Sequence, residues 1–259
     1  MRAHIIAAAA AIWLVSPVCA GLTTSDVEKA FKQANIIPDE IPDFTPKALL
    51  NVAYIDPATK KSISITPGKA ISVNQTAVRP QYAVTSSQTN LAGQSFVLVM
   101  FDPDAPTPQN KSLAQVRHMI AQVQLSSDTK ALASTAGSLL TNTSKAISEY
   151  FGPAPPAGNA HRYTILLFQE PASFASQVGA LVNASTPVTG FNTRNFAHTL
   201  GLGAPVAGTF FMTGQNTANA SPDGTGASSS KTSGSGRTVV GVVAATIAAF
   251  VAGFGMVAW

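Results

Sequence analysis

Short apolar and β-branched runs, separated by turn residues, dominate the first half of the chain. They read LLNVAYI (49–55), SISI (62–65), AISV (70–73), SFVLVMF (95–101) and HMIAQVQL (118–125). Runs of this length and residue type, bounded by Gly, Pro, Asn and Asp, predict β-strands. A further run, RYTILLFQ (162–169), is apolar enough to predict a strand buried on both faces. The pattern therefore predicts a mainly β domain.

Helical periodicity is confined to three short segments. In TTSDVEKAFKQAN (23–35), Ser25 and Glu28 have the spacing of a capping box. One face of that helix carries Val27, Ala30, Phe31 and Ala34. Two more short helices are predicted in ASFASQVGALVN (172–183) and TRNFAHTLGL (193–202), and the Ser/Thr/Ala-rich segment 126–149 is predicted to be loop with some helix. The helices are expected at the periphery of the domain.

The two ends of the chain carry apolar segments with different characters. Residues 1–20 combine an early Arg2, an apolar centre and small residues before position 21, which is typical of a secretory signal peptide. Residues 238–259 are apolar throughout and follow a small, polar stalk at 214–237. This order is typical of a GPI-anchor signal whose tail is removed, with Gly226 as the expected attachment site. A single membrane-spanning helix is the alternative. The folded domain is therefore expected at residues 21–213.

Charge and cysteine content narrow the function classes. The chain has 16 basic and 12 acidic residues, and setting aside Arg2, Lys231 and Arg237 leaves 13 basic residues against 12 acidic ones. A nearly neutral domain without a basic stripe argues against nucleic-acid binding. The single cysteine, Cys19, lies in the predicted signal peptide, so the mature domain is expected to have no disulfide. Five glycosylation sequons agree with a secretory route: Asn74, Asn110, Asn142, Asn183 and Asn219.

Polar residues that could form a site gather around two proline-rich loops. Asp102 and Asp104 follow a predicted strand, in a loop stiffened by prolines 103 and 106. The second loop, GPAPPAG (152–158), precedes His161 and Tyr163. Because side chains alternate along a strand, His161 and Tyr163 are expected on one face and Arg162 on the other, paired with a carboxylate. His118 begins another predicted strand.

At these residues the chain resembles the phosphatidylethanolamine-binding protein family. The resemblance rests on DPDAP (102–106), the strand of His118, GPAPPAG followed by HRY (152–163), and GAPVAGTFF (203–211), in the family's order. It implies a central antiparallel sheet, a second smaller sheet, flanking helices and a small pocket for phosphate-like or carboxylate anions. Matched onto this sequence, the pocket would draw on Asp102, Asp104, Ala105, Pro106, His118, Gly152, Pro155, His161 and Tyr163. The family's C-terminal helix is missing here, which predicts a more open pocket.

The chemistry of such a pocket can be argued from the residues themselves. Two carboxylates would repel a phosphate, but an imidazolium beside a carboxylate has a raised pKa and can donate to an anion. A zwitterionic head group would fit, with its ammonium at Asp102 and its phosphate at His161. The alternatives are that both Asp residues hold the turn, and that His118 and His161 are buried histidines with structural hydrogen bonds.

No catalytic signature accompanies these residues. The sequence has no G-x-S-x-G, its only cysteine is expected to be removed, and its histidines and carboxylates show no known metal-ligand spacing. We therefore expect no cofactor and a non-enzymatic protein on the outer face of the plasma membrane or in the cell wall, binding phosphate-like anions or phospholipid head groups. The resemblance also implies an alternative, inhibition of a secreted or vacuolar serine carboxypeptidase or another protein partner. A hydrolase or metal-dependent enzyme is the second alternative.

Overall fold

The computed structural model describes residues 21–86, 91, 93–126 and 137–215. Predictions for residues 1–20 and 216–259, including Asn219 and Gly226, lie outside this part of the chain. Within it are three α-helices, one 3₁₀-helix (Val73–Thr76) and nine strands. The helices are α1 (Thr24–Gln33), α2 (Phe174–Leu181) and α3 (Thr193–Thr199). The strands are β1 (Leu49–Ile55), β2 (Ser62–Ile65), β3 (Lys69–Ala70), β4 (Gln81–Thr85), β5 (Ser95–Asp102), β6 (Val116–Leu125), β7 (Ser138–Asn142), β8 (His161–Gln169) and β9 (Ala207–Thr213).

The strands follow the order β2-β1-β4-β7-β6-β5-β8-β9-β3. All neighbours are antiparallel except β3 and β9. Strand β7 pairs with β4 on one side and β6 on the other, so it joins a smaller group (β2, β1, β4) to the central group (β6, β5, β8, β9). This arrangement confirms the predicted mainly β fold with a central antiparallel sheet.

Two hydrophobic clusters lie on opposite faces of the central strands. One holds Phe31 of α1 and Phe174 of α2, and includes Val97 and Val99 of β5. The other lies between the two strand groups and includes Leu98 of β5 together with residues of β1 and β4. Because both faces of β5 are covered, the strand is apolar at nearly every position rather than at alternate ones. The same reason explains the unbroken apolar run of β8.

The N-cap of helix α1 lies two residues before the predicted cap, Ser25. Thr23 is the N-cap: its Oγ1 accepts from the backbone N–H of Asp26 at 3.2 Å, and its own N–H donates to the Asp26 carboxylate at 3.0 Å. The prediction of a capping box at Ser25 and Glu28 was therefore wrong, because Thr23 and Asp26 have the same spacing two residues earlier. The predicted apolar face is confirmed, and Val27 and Phe31 are buried.

Three predictions of secondary structure need correction. Strand β7 lies in the segment that was predicted to be loop with some helix, and β4 was not anticipated. In AISV (70–73), only Ala70 belongs to a strand, and Val73 begins the 3₁₀-helix. Strand β7 is short and half-exposed, so its extended conformation depends on hydrogen bonds from β4 and β6 rather than on its own residues. Among the described residues, no helix is both long enough and apolar enough to cross a bilayer.

Candidate functional site

The end of β5 and the beginnings of β6 and β8 lie together, at the same end of the central strands. Strand β5 lies between β6 and β8 and is antiparallel to both, so its last residue lies beside their first residues. The register pairs Asp102 with Val116 of β6 and Phe101 with Thr164 of β8. This topology brings together Asp102, His118 and His161, which are up to 59 residues apart in the chain. The strand order therefore places these three side chains close to one another.

Asp102 holds both the turn and one histidine. Its Oδ1 accepts from the backbone N–H of Asp104 at 2.7 Å, as an Asx turn requires. Its Oδ2 lies 2.8 Å from Nδ1 of His161, and both side chains are buried. Because a carboxylate only accepts, Nδ1 of His161 carries the proton and Nε2 is directed away from Asp102. The turn-forming role and the site role are therefore filled by the same carboxylate.

His118 differs from the sequence-based expectation. Its Nδ1 lies 2.8 Å from the carbonyl oxygen of Phe151, to which it donates, and its ring stacks on the Phe151 ring at 4.1 Å. Burial lowers the pKa of His118, and the bond to the Phe151 carbonyl only partly offsets this effect. The imidazole is therefore neutral near pH 7. The expectation of a charged imidazole does not hold for His118.

Tyr163 completes the cluster and lines its inner side. Its ring lies edge-on to His118 at 5.1 Å, and its face lies 6.4 Å from that of His161. Burial, reinforced by the nearby Asp102 carboxylate, raises the pKa of Tyr163 far above its ordinary value. The phenol therefore stays protonated and can act as a hydrogen-bond donor. We refer to Asp102, His118, His161 and Tyr163 as the histidine cluster.

Asp104 lies on the opposite side of β8, in an ion pair with Arg162. The Nε and Nη2 atoms of Arg162 donate to its two carboxylate oxygens at 2.9 and 2.6 Å, and the Arg162 backbone N–H donates at 2.8 Å. Burial alone would raise the pKa of Asp104, but the bonds from Arg162 outweigh it and leave the pKa below its ordinary value. The expectation that Asp104 lines the pocket is thereby corrected: its oxygens face Arg162, with Lys111 at 3.6 Å. Arg162 pairs with a carboxylate as expected.

The two proline-rich loops pack against the cluster's surroundings. Ala105 is buried, Pro106 is half-buried, and the peptide bond between them is cis. A Cβ on Gly152 would lie 2.9 Å from the carbonyl oxygen of Thr76, so only glycine allows this close approach. Pro155 is buried, and its carbonyl accepts from the side chain of Gln215 at 3.2 Å. Gly152 therefore packs closely against neighbouring backbone, and Pro155 is held by a hydrogen bond from a side chain near the end of the described residues.

The histidine cluster is nearly closed to solvent. The exposed fraction is 2% for His118 and 1% for both His161 and Tyr163, so the more open pocket expected from the sequence is not seen at these side chains. Phe151 covers one face of His118 and is itself 39% exposed. The sequence-based reasoning missed Phe151. Its signal was an exposed aromatic residue directly before the glycine of the GPAPPAG loop.

Two further expectations from the sequence concern glycosylation and metal binding. The side chains of Asn74, Asn110, Asn142 and Asn183 are exposed. Among the described residues there is no group of three or more His, Cys, Asp or Glu side chains that could hold a metal ion.

Comparison with known proteins gives consistent results. The family model described as "Phosphatidylethanolamine-binding protein" matches residues 54–211. The chain is 31% identical over 188 residues to "Protein MOTHER of FT and TFL1 homolog 2" of Oryza sativa subsp. japonica, covering 71% of this chain and 91% of the relative. It is 29% identical over 164 residues to the "Carboxypeptidase Y inhibitor" of Saccharomyces cerevisiae, covering 55% and 72% of the two chains.

Solved structures share the fold. The carboxypeptidase Y inhibitor, determined in complex with its cognate proteinase, superposes with a TM-score of 0.59 at 24% identity, covering 74% of this chain and 97% of that one. A phosphatidylethanolamine-binding protein from Plasmodium vivax superposes with a TM-score of 0.55 at 15% identity, covering 73% and 98%. At these identities the likeness concerns the arrangement of strands and helices.

Proposed function

Since the chain belongs to the phosphatidylethanolamine-binding protein family, we propose that its histidine cluster binds a phosphate-like anion or a phospholipid head group without catalysis. The observation that carries this proposal is the buried hydrogen bond of 2.8 Å between Asp102 and Nδ1 of His161. A carboxylate on one side of an imidazole favours a proton on the other nitrogen, where an anion could accept it. The ring of His161 is thereby prepared for an anionic ligand at Nε2.

The remaining cluster residues suit the same ligand. The protonated phenol of Tyr163 interacts with Asp102 and helps to hold that carboxylate, and the neutral His118 adds no charge that would compete for Asp102. A zwitterionic head group balances the site, because the buried carboxylate would repel a bare anion. Phe151 lies on the exposed side of His118, so a ligand that reaches His118 displaces its ring.

Calorimetric titration of the purified protein with phosphorylethanolamine tests this function. Binding should depend on the side chain of His161, because its Nε2 is the ring nitrogen that Asp102 leaves available to a ligand. His161→Gln should remove the affinity, and Asp102→Asn should weaken it. His198→Gln, at an exposed position of α3, is the matched control. Affinity unchanged in His161→Gln would refute the proposal.

A second candidate function is inhibition of a serine carboxypeptidase. It is favoured by the 29% identity to the yeast carboxypeptidase Y inhibitor. A carboxypeptidase recognises a free terminal carboxylate, the same class of group that an anion site accepts. Adding the purified protein to yeast carboxypeptidase Y and following peptide hydrolysis separates the two functions. Inhibition that persists in His161→Gln, with no binding of phosphorylethanolamine, would reverse their order.

We further propose that the protein is glycosylated and held at the outer cell surface by a GPI anchor. The support is the order of signals in the sequence: the apolar segment 1–20, the sequons, the stalk and the apolar segment 238–259. Phosphatidylinositol-specific phospholipase C should release the protein from intact cells, whereas a membrane-spanning helix would resist the enzyme. Digestion with an N-glycosidase should increase its mobility on gels.

A further inference from the structure

A cavity that is separate from the histidine cluster has an arginine without a counter-ion in its wall. The cavity has a volume of about 290 Å³ and lies between the end of α2, the loop 186–192 and α3. Arg117 of β6 lines it and is only 3% exposed. None of the residues that line the cavity is acidic.

The contacts of Arg117 are all with uncharged groups. Its Nε donates to Ser148 Oγ at 3.1 Å, Nη1 to the Pro187 carbonyl at 3.2 Å, and Nη2 to the Thr186 carbonyl at 3.1 Å. Its guanidinium carbon lies 5.8 Å from the centre of the Phe191 ring. No ion pair between described residues includes Arg117, whereas the other buried arginine, Arg162, is bound by both oxygens of Asp104. Arg117 is therefore a buried cation whose charge is not neutralised.

The hydrogen bonds of Arg117 anchor the loop 186–192, but they do not explain why a charged residue is buried there. The carbonyls of Thr186 and Pro187 occupy one N–H each on the two terminal nitrogens, and Ser148 occupies the N–H of Nε. A guanidinium has five N–H groups, so each terminal nitrogen keeps one that has no partner among the described residues. Neutral dipoles satisfy hydrogen bonds but do not balance a buried charge, which ordinarily is paired. An anionic group in the cavity would accept hydrogen bonds from the two remaining N–H groups and would also balance the charge of Arg117.

We propose that this cavity binds a small organic acid, with its carboxylate on Arg117 and its apolar body in the cavity. The planar fork of a guanidinium matches the two oxygens of a carboxylate. Apolar walls are available from Leu181, Val182 and Phe196, and a volume of about 290 Å³ suits a ligand at the small end of the usual range. The absence of acidic residues among those that line the cavity favours an anion over a zwitterion or a cation. This site does not rest on the function proposed for the histidine cluster.

Phenylacetate is a suitable probe, because it joins a carboxylate to one aromatic ring. Its uncharged analogue phenylacetamide and the cation phenethylamine have the same ring and similar size. Titration of the ¹⁵N-labelled protein, expressed from the full chain and followed by amide chemical shifts, should show millimolar binding of phenylacetate with shifts at residues 188–199. Phenylacetamide should bind at least about tenfold more weakly, and phenethylamine should not bind.

Variants separate this site from general anion binding. Arg117→Met should weaken phenylacetate binding at least about tenfold, whereas Arg79→Met should leave it unchanged. Arg79 is a matched control, because its only described partners are likewise an uncharged side chain and an aromatic ring, at 2.7 and 5.6 Å. Thr199→Phe fills the cavity from an exposed position and should abolish binding while Arg117 stays in place. It keeps the test valid if Arg117→Met fails to fold.

Three outcomes would overturn the proposal. They are equal binding of phenylacetate and phenylacetamide, unchanged binding in Thr199→Phe, and shifts confined to the histidine cluster. His161→Gln should retain phenylacetate binding if the two sites are separate, and loss of binding in that variant would assign the probe to the histidine cluster instead.

Discussion

Replacing Arg162 by methionine tests the buried ion pair behind β8. The side chain of Arg162 is 4% exposed, and that of Asp104 is fully buried. Methionine keeps much of the aliphatic length but removes the two side-chain bonds to Asp104 and the bond from Nη1 to the Ala34 carbonyl. What remains to Asp104 is the backbone N–H of residue 162 and the amine of Lys111 at 3.6 Å.

The magnitude follows from the buried charge that this change leaves behind. Removing one partner of a buried ion pair costs about 3–5 kcal/mol, because the other charge stays desolvated. The bidentate geometry and full burial of Asp104 place this substitution at the upper end of that range. Since domains of this kind unfold with about 5–15 kcal/mol, Arg162→Met should lower the stability by a large fraction.

A double-mutant cycle distinguishes the charge effect from lost packing. The double variant Asp104→Asn/Arg162→Met lacks both charges. Its loss of unfolding free energy should therefore be smaller than the sum of the two single losses by about 1–3 kcal/mol. Urea unfolding should be followed by far-UV circular dichroism, because both tryptophans, Trp13 and Trp259, lie outside the described residues. A cost below about 1 kcal/mol for Arg162→Met, or strict additivity in the cycle, would refute the reasoning.

Three further changes follow from the same structure. Because burial lowers the pKa of His118 below its ordinary 6.5, the unfolded chain takes up that proton first as the pH falls. The unfolding free energy should therefore decrease below about pH 6.5 by up to about 1.4 kcal/mol per pH unit, and His118→Asn should remove this slope in urea titrations at several pH values. Phe31→Ala removes a fully buried ring that lies 4.7 Å from Phe44 and should cost about 3–5 kcal/mol in the same assay. Gly152→Ala places a Cβ 2.9 Å from the Thr76 carbonyl and should cost about 1–3 kcal/mol, measured as a lower Tm, whereas Gly179→Ala, at an exposed glycine of α2 whose Cβ position is open, should not lower the Tm.

The sequence predicted the central strands because their apolar runs are continuous. Strands β5 and β8 are buried on both faces, and a run of apolar β-branched and aromatic residues is the direct result. Strand β7 could not be predicted in this way. Its neighbours β4 and β6 supply its hydrogen bonds. Gly137, the residue just before β7, lies so close to β4 that a Cβ there would be only 2.5 Å from the Val84 carbonyl oxygen. Such constraints come from distant parts of the chain.

The histidine cluster was predicted in part. Strand alternation gave the correct faces for His161, Arg162 and Tyr163. It could not place Asp104, because β5 ends at Asp102 and the chain turns there, so the period of two no longer applies. The neutral state of His118 was also beyond the sequence. It results from burial against the ring and carbonyl of Phe151, a contact between residues 33 positions apart.

The contacts of Asp102 and Asp104 have a consequence for how this sequence can diverge. Asp102 holds His161 and Asp104 holds Arg162, so two residues of one loop are matched to two adjacent residues of β8 on opposite faces of the sheet. Each pair is buried, and the loss of one member leaves the other buried without its partner. Relatives that lack the arginine should therefore also lack the acidic residue at 104, whereas the 102–161 pair should vary independently of it. We therefore expect the DPD and HR motifs to vary as two separate pairs, interleaved along the chain.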